Sequence, residues 1–252
     1  MASFTKHVRW GADAAAWEVA SLRWLVDAEQ HGGARVARVL AHDGATIALE
    51  RLEPAAPTRA HAEAFGQALA ATHAAGAPAW CAPPPGCEGE GWIGRQRQPM
   101  TPAASWADSF AHQRILPFVR AAVDAGHLDP DGAAVVERVC GRLVDGAFDD
   151  DRSPARIHGD LWSGNVLWTA DGAVLIDPAA QGGHPLTDLA MLALFGLPHL
   201  DVVLDAHAEA AELEGEWRDL LGLHQLHPLA VHAVSHGPSY GAELVAVARR
   251  YV

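Results

Sequence analysis

Apolar residues recur at helical spacing early in the chain, at Trp17, Ala20, Trp24 and Ala28. They predict one apolar helix face, in a helix capped by Asp13 and running to about Ala28. Before it, Phe4-Thr5-Lys6-His7-Val8 reads as a short strand with a lysine at its centre. After it, Val36 to Ala41 and Thr46 to Leu49 read as two short strands around the turn residues His42-Asp43-Gly44-Ala45. An alanine-rich helix from Arg59 to Ala75 stops at Gly76. Pro78 to Pro102 is rich in Pro, Gly and Trp, and too long and apolar for a simple linker. Helices follow over Trp106 to Ala125 and Asp131 to Val144. Asp149-Asp150-Asp151 reads as a solvated loop rather than a metal site. The strands Val166-Leu167-Trp168 and Val174-Leu175-Ile176 flank an Asp171-Gly172 turn, a strong hairpin signal. From Gly196 the pattern is helical to the end, with Leu226 to Ser235 and Tyr240 to Tyr251 as the last two helices.

Chemistry concentrates between Arg156 and Gly196. Asp160 is followed five positions later by Asn165, and the second hairpin strand ends on Asp177. Phosphoryl transfer from a nucleotide needs such an order: a carboxylate to take the proton of the attacking hydroxyl, then an amide and a carboxylate to hold Mg²⁺ on the phosphates. Alone, His158-Gly159-Asp160 would be a turn and Asp177 a helix cap. The two motifs joined by a hairpin point to a kinase. Lys6 on a strand and Glu18 on the following helix match, in type and order, the pair that contacts the α- and β-phosphates. Without the downstream motif they would read as an edge lysine and a solvated glutamate.

The residues HGDLWSGN, IDPA and GHPLTDLAMLALFG resemble the fructosamine (ketosamine) kinase family, of the aminoglycoside-phosphotransferase-like branch of the kinase fold. The resemblance runs from about Phe4 to the C-terminus. It implies an α+β, protein-kinase-like two-lobe fold. Residues 1–52 would form a truncated small lobe with an antiparallel sheet that binds nucleotide, and residues 53–252 a mainly helical catalytic lobe. It implies ATP and Mg²⁺ as cofactors, Asp160 as catalytic base, Asn165 and Asp177 as metal ligands, and Lys6 and Glu18 at the phosphates. The backbone around Glu50 and Leu52, ahead of Pro54 and Pro57, would form the hinge that bonds adenine. Asp188 would hold the catalytic-loop backbone, and His158 would brace the turn. Trp162 would stack on a sugar or simply pack. Gly91-Trp92-Ile93-Gly94 with Gln98-Pro99, and Gln113-Arg114, match family segments, while Met100 stands where an Asn is expected. The implied reaction phosphorylates a sugar hydroxyl of a ketosamine, small or protein-bound, and the unstable product releases the amine. A kinase for another small hydroxyl compound, such as an aminoglycoside or a choline-like amine, and a non-catalytic nucleotide binder are the alternatives.

Composition narrows the partners. The 252 residues carry a formal net charge of −13, which argues against nucleic acid. No apolar run reaches membrane-spanning length. Three cysteines without a CxxC pair, and no apolar leader, are expected of a cytoplasmic chain. The fifteen histidines are scattered and are expected at surface or capping positions. Ten residues separate Asp177 from Asp188, too few for a peptide-binding activation segment, and Gly159 stands where a protein kinase has an arginine that pairs with that segment's phosphate. A small-molecule acceptor is expected. Only five residues precede Lys6, where the kinase fold has two strands and a glycine-rich loop. The corresponding expectations are weak ATP affinity resting on Lys6 and the metal, and a sheet edge covered by self-association into a homo-oligomer.

Overall fold

The computed structural model describes residues 2–252. A three-stranded antiparallel sheet comes first, in the order β1 (Ser3–His7), β3 (Thr46–Glu50), β2 (Val39–Asp43). Lys6 pairs with Ile47, and Phe4 with Leu49. Helix α1 (Ala12–Ala28) packs on this sheet through Val19, Leu22 and Leu25. Its N-cap is Gly11 (φ 95°), not Asp13. Asp13 lies in the first turn, where its charge still complements the helix dipole. The second strand starts at Val39 rather than Val36 and carries a register shift between Val39 and Ala41. Val36 instead makes a parallel bridge to Leu175 and so ties the small sheet to the catalytic hairpin.

Helix α2 (Arg59–Ala74) starts at Thr58, whose hydroxyl accepts from the His61 N–H. The tryptophan-rich segment folds into a short hairpin, β4 (Gly91–Ile93) and β5 (Gln96–Gln98). The expected single helix from Trp106 is three pieces: α3 (Trp106–Ser109), a π-helical turn over Phe110–Ile115, and α4 (Leu116–Asp124). Pro117 offers no N–H to the Gln113 carbonyl, and that oxygen accepts from Arg114 Nη1 at 3.0 Å. Helix α5 (Pro130–Val144) is capped by Asp129. Strand β6 (Ala155–Ile157) pairs with β9 (Gln181–Gly183), and β7 (Val166–Thr169) with β8 (Gly172–Leu175). Helices α6 (Pro185–Phe195), α7 (Leu200–Ala210), α8 (Leu221–His236) and α9 (Pro238–Ala248) complete the chain.

Two apolar clusters hold these elements. One joins the small sheet and α1 to Phe65, Trp168, Leu189 and Val203. The other packs α3, α4 and α5 against α8 and α9, around Ile115, Val136, Leu226 and Leu244. The catalytic hairpin and α6 stand where the first cluster reaches the cleft. No helix among the described residues is long and apolar enough to cross a membrane.

Candidate active site

Residues 158–160 form a turn whose geometry is imposed from behind. Asp188, fully enclosed on α6, accepts the backbone N–H of His158 at 2.8 Å and of Gly159 at 2.9 Å. It also accepts from His73 Nε2 at 3.0 Å, and His73 Nδ1 in turn meets His207 Nε2 at 2.9 Å. Burial opposes ionisation of Asp188, but the bonds it accepts, first from His73 and then from the Gly159 N–H, outweigh it and hold its pKa below the usual carboxylate value. His158 has both nitrogens engaged: Nε2–H donates to Ile176 O at 2.9 Å, and Nδ1 accepts from the Asp160 N–H at 3.2 Å. Burial keeps this imidazole neutral. It braces the turn and has no lone pair left for a substrate.

Gly159 adopts φ +81°, and a Cβ there would sit 2.2 Å from Ala179 O. The position has no room for a side chain, which is a stronger reason for glycine than the loss of an arginine.

Asp160, Asn165 and Asp177 converge as expected. Asn165 Nδ2 donates to Asp160 O at 2.8 Å, with longer approaches of 3.4 Å to Asp160 Oδ2 and Asp177 O. This fixes the amide through its nitrogen and leaves its oxygen as the ligand end. Asp177 takes the left-handed conformation (φ 53°) at the end of the hairpin. Asp160 is pushed up to about 7, first by burial and then by the neighbouring Asp177 charge. Lys6 Nζ lies 2.8 Å from Glu18 Oε1 and 2.7 Å from Asp177 Oδ1. Burial works against the Lys6 charge, but the two carboxylates outweigh it and raise its pKa. For Glu18, burial outweighs the pull of Lys6, and its pKa is raised too.

Two cavities meet at Asp160. One, of about 440 Å³, is lined by Lys6, Glu18, Asp160, Asn165 and Asp177. The other, of about 530 Å³, runs from Asp160 and Trp162 to Phe195, His232 and Tyr240. Trp162 borders both. Its ring lies over Gly164, where a Cβ would come within 2.3 Å of the indole, and meets Phe195 edge-on at 6.4 Å. Asn165 and Asp177 offer hard oxygens, few in number, as Mg²⁺ prefers.

Glu50 and Leu52 are not among the residues lining these cavities. The Glu50 N–H bonds Arg38 O at 2.9 Å, and its carboxylate accepts from Arg35 at 3.0 Å and from the Arg38 N–H at 3.1 Å. Asp150, expected in a solvated loop, accepts from Arg152 Nε at 3.0 Å and His184 Nε2 at 2.9 Å. His184 caps α6 through Nδ1, so this acidic residue helps set the helix that carries Asp188. Six histidines are buried, at 73, 158, 184, 207, 224 and 227. Gln113 brackets the Thr101 backbone, and Arg114 bonds Gln181 Oε1 and Pro99 O beside buried Met100. These matched segments therefore build the wall behind the site. The part of the second cavity lined by Arg95, His232, His236 and Tyr240 was not foreseen. The i, i+4 spacing of His232 and His236 on α8 was its signal, while Tyr240 joins them from α9.

This arrangement defines a kinase of the protein-kinase-like fold in its small-molecule branch. A choline/ethanolamine kinase family protein from Mesorhizobium loti shares the fold at TM-score 0.61 and 15% identity, over 98% of this chain and 81% of its own. The chain belongs to the fructosamine kinase family, which it matches over residues 14–252. It is similar to a solved structure from Thermobifida fusca, described as a candidate fructosamine-3-kinase, with TM-score 0.86 and 47% identity over 94% of this chain and 79% of that one. A probable ketoamine kinase of Enterococcus faecium is 29% identical over 80% of this chain and 70% of its own length. For the Synechocystis and Thermus thermophilus relatives, both probable ketoamine kinases, the matched stretch spans 42% and 72% of the relative.

Proposed function

We propose that this chain transfers the γ-phosphoryl group of ATP to a sugar hydroxyl of a ketosamine, and that it serves to remove sugar adducts from amines. The observation that carries this reading is the position of Asp160 at the junction of two cavities. One offers a cation and hard oxygens for a nucleotide, and the other is walled by aromatic rings suited to a sugar. Residues 1–52 act as the nucleotide lobe and residues 53–252 as the catalytic lobe. Lys6, oriented by Glu18, binds the phosphates. Asn165 and Asp177 would hold Mg²⁺, whose charge would offset that of the phosphates. Asp160 in its ionised form accepts the proton of the acceptor hydroxyl as that oxygen bonds to the γ-phosphorus and the bond to ADP breaks. Its pKa near 7 suits a base working at neutral pH. The hinge around Glu50 and Leu52 contacts adenine through backbone groups rather than side chains. The acceptor is a glycated amine, free or protein-borne. The three cysteines are unpaired, as a reducing cytoplasm requires.

Coupled ADP release with Mg²⁺-ATP against ribulosamine, fructosamine and aminoglycoside panels tests the reading. Ketosamine-dependent turnover above the ATPase background is expected. Turnover with aminoglycosides alone, or with none of the panel, would overturn it.

A further inference from the structure

We infer that the acceptor cavity favours ketosamines whose amine part carries a carboxylate, as in adducts of free amino acids, and that Arg95 recognises that group. This deepens the ketosamine reading and rests on it.

The charge of the cavity runs against that of the chain. The sequence holds 31 acidic against 18 basic residues, yet among the described residues the only carboxylate lining the acceptor cavity is Asp160, which is reserved for the proton transfer. Arg95 lines the same cavity, at the tip of the β4–β5 hairpin. One of its Nη2 protons is given to Ser235 O. Among the described residues it forms no ion pair, so the rest of its donor fork faces the cavity mouth unneutralised. A guanidinium held by one backbone carbonyl is oriented without being discharged, and a planar carboxylate is its natural partner.

The other polar side chains of the cavity fit the sugar rather than a second charge. His232 donates Nδ1–H to Pro228 O at 2.7 Å, since a carbonyl only accepts. Burial lowers its pKa, so Nε2 is a bare acceptor. Ser235 gives its one proton to Val231 O at 2.9 Å and therefore accepts Nδ1–H from His236 at 2.7 Å. In its neutral form His236 also presents a bare Nε2, and the two rings stack at 4.8 Å. Bare imidazole nitrogens accept hydroxyl protons. An amine-rich acceptor would meet a guanidinium and no free counter-charge, which disfavours aminoglycosides.

The test compares the ribulosyl adducts of glycine and glycinamide, which differ in a single charge, by kcat/KM in coupled ADP release. Wild type should favour the glycine adduct by about two- to fivefold, through KM, the scale of a rim-exposed charge pair. The preference should shrink with added salt. Arg95→Gln should abolish it, and Arg95→Lys should keep part of it. Arg95 is at an exposed hairpin tip, and circular dichroism checks that each variant folds. Equal kcat/KM for the two adducts in wild type, or a preference that survives Arg95→Gln, overturns the assignment while leaving the ketosamine reading intact. A preference for sugar-phosphorylated ketosamines over both places the anion on the sugar and overturns it as well. Failure of both adducts with every other ketosamine removes the ketosamine reading and this inference together.

Discussion

The Lys6 ammonium lies 2.7 Å from the Asp177 carboxylate although 171 positions separate them in sequence. A strand of the small sheet and the end of the catalytic hairpin are thereby joined by one charge-assisted bond across the cleft. The same ammonium contacts Glu18, so one cation holds two carboxylates in place at the floor of the proposed nucleotide site.

Lys6→Ala should therefore weaken Mg²⁺-ATP binding by about tenfold or more, the scale of losing bonds from a charged donor. It also leaves Glu18 and Asp177 facing the cleft without their common cation. Calorimetric titration of Mg²⁺-ATP into the variant measures the effect. An unchanged affinity would remove Lys6 from the nucleotide site.

Much of the site was legible because it is local. Asp160 and Asn165 share one loop, Asp177 ends a hairpin announced by Asp171-Gly172, and periodicity marked the helix that carries Glu18. What was not legible depends on distant backbone. No local pattern says that Ala179 O will approach Gly159, or that Asp150 will find His184 34 positions on. The acceptor wall on α8 and α9 was hidden for a similar reason. Histidines at 232 and 236 look scattered until the helix is seen to face Trp162. Glu50 makes another such distant pairing: its side chain is taken by Arg35 and the Arg38 N–H, which leaves the expected hinge contact to backbone groups.

Two glycines in the catalytic loop should respond differently to alanine. At Gly159 the new Cβ meets a backbone carbonyl at 2.2 Å in a φ region that L-residues avoid. Gly159→Ala should lose about 3 kcal/mol of stability and most turnover. At Gly164 the obstacle is the tip of the Trp162 indole, a side chain that is 43% exposed and free to swing away. Gly164→Ala should keep the fold and raise the acceptor KM instead. Urea denaturation paired with kinetics separates the two, and equal stability losses would contradict this account of the loop.

The pKa of Asp160 gives a pH dependence with a defined sign. Burial and the Asp177 charge push it up to about 7, and only the ionised form accepts a proton. Turnover should fall as pH drops through about 7. Asp177→Asn removes the second of those causes, so the Asp160 midpoint should move down in the nucleotide-free protein. Carbon-detected NMR titration of the carboxyl groups reads both values directly. A wild-type midpoint near the ordinary aspartate value would overturn the assignment.

Asp160→Asn should abolish turnover and at the same time stabilise the fold. The group's folded pKa lies above its unfolded value, so the folded state binds the proton more tightly. Its contribution to stability is therefore most favourable below the unfolded pKa of about 4 and declines as pH rises from there through about 7. At pH 8 the folded protein confines an ionised carboxylate beside Asp177, and the unfolded chain does not. Asparagine keeps the side-chain shape and removes that repulsion. Thermal unfolding should show a higher Tm for Asp160→Asn than for wild type at pH 8, with the gap closing towards pH 4. A base that acts in the transfer step also contributes typically about 10²–10⁴-fold to rate, so turnover should drop by at least that range. A variant as active as wild type would exclude Asp160 as the base. A variant less stable than wild type at pH 8 would show that Asp160 supports the fold rather than straining it in the service of catalysis.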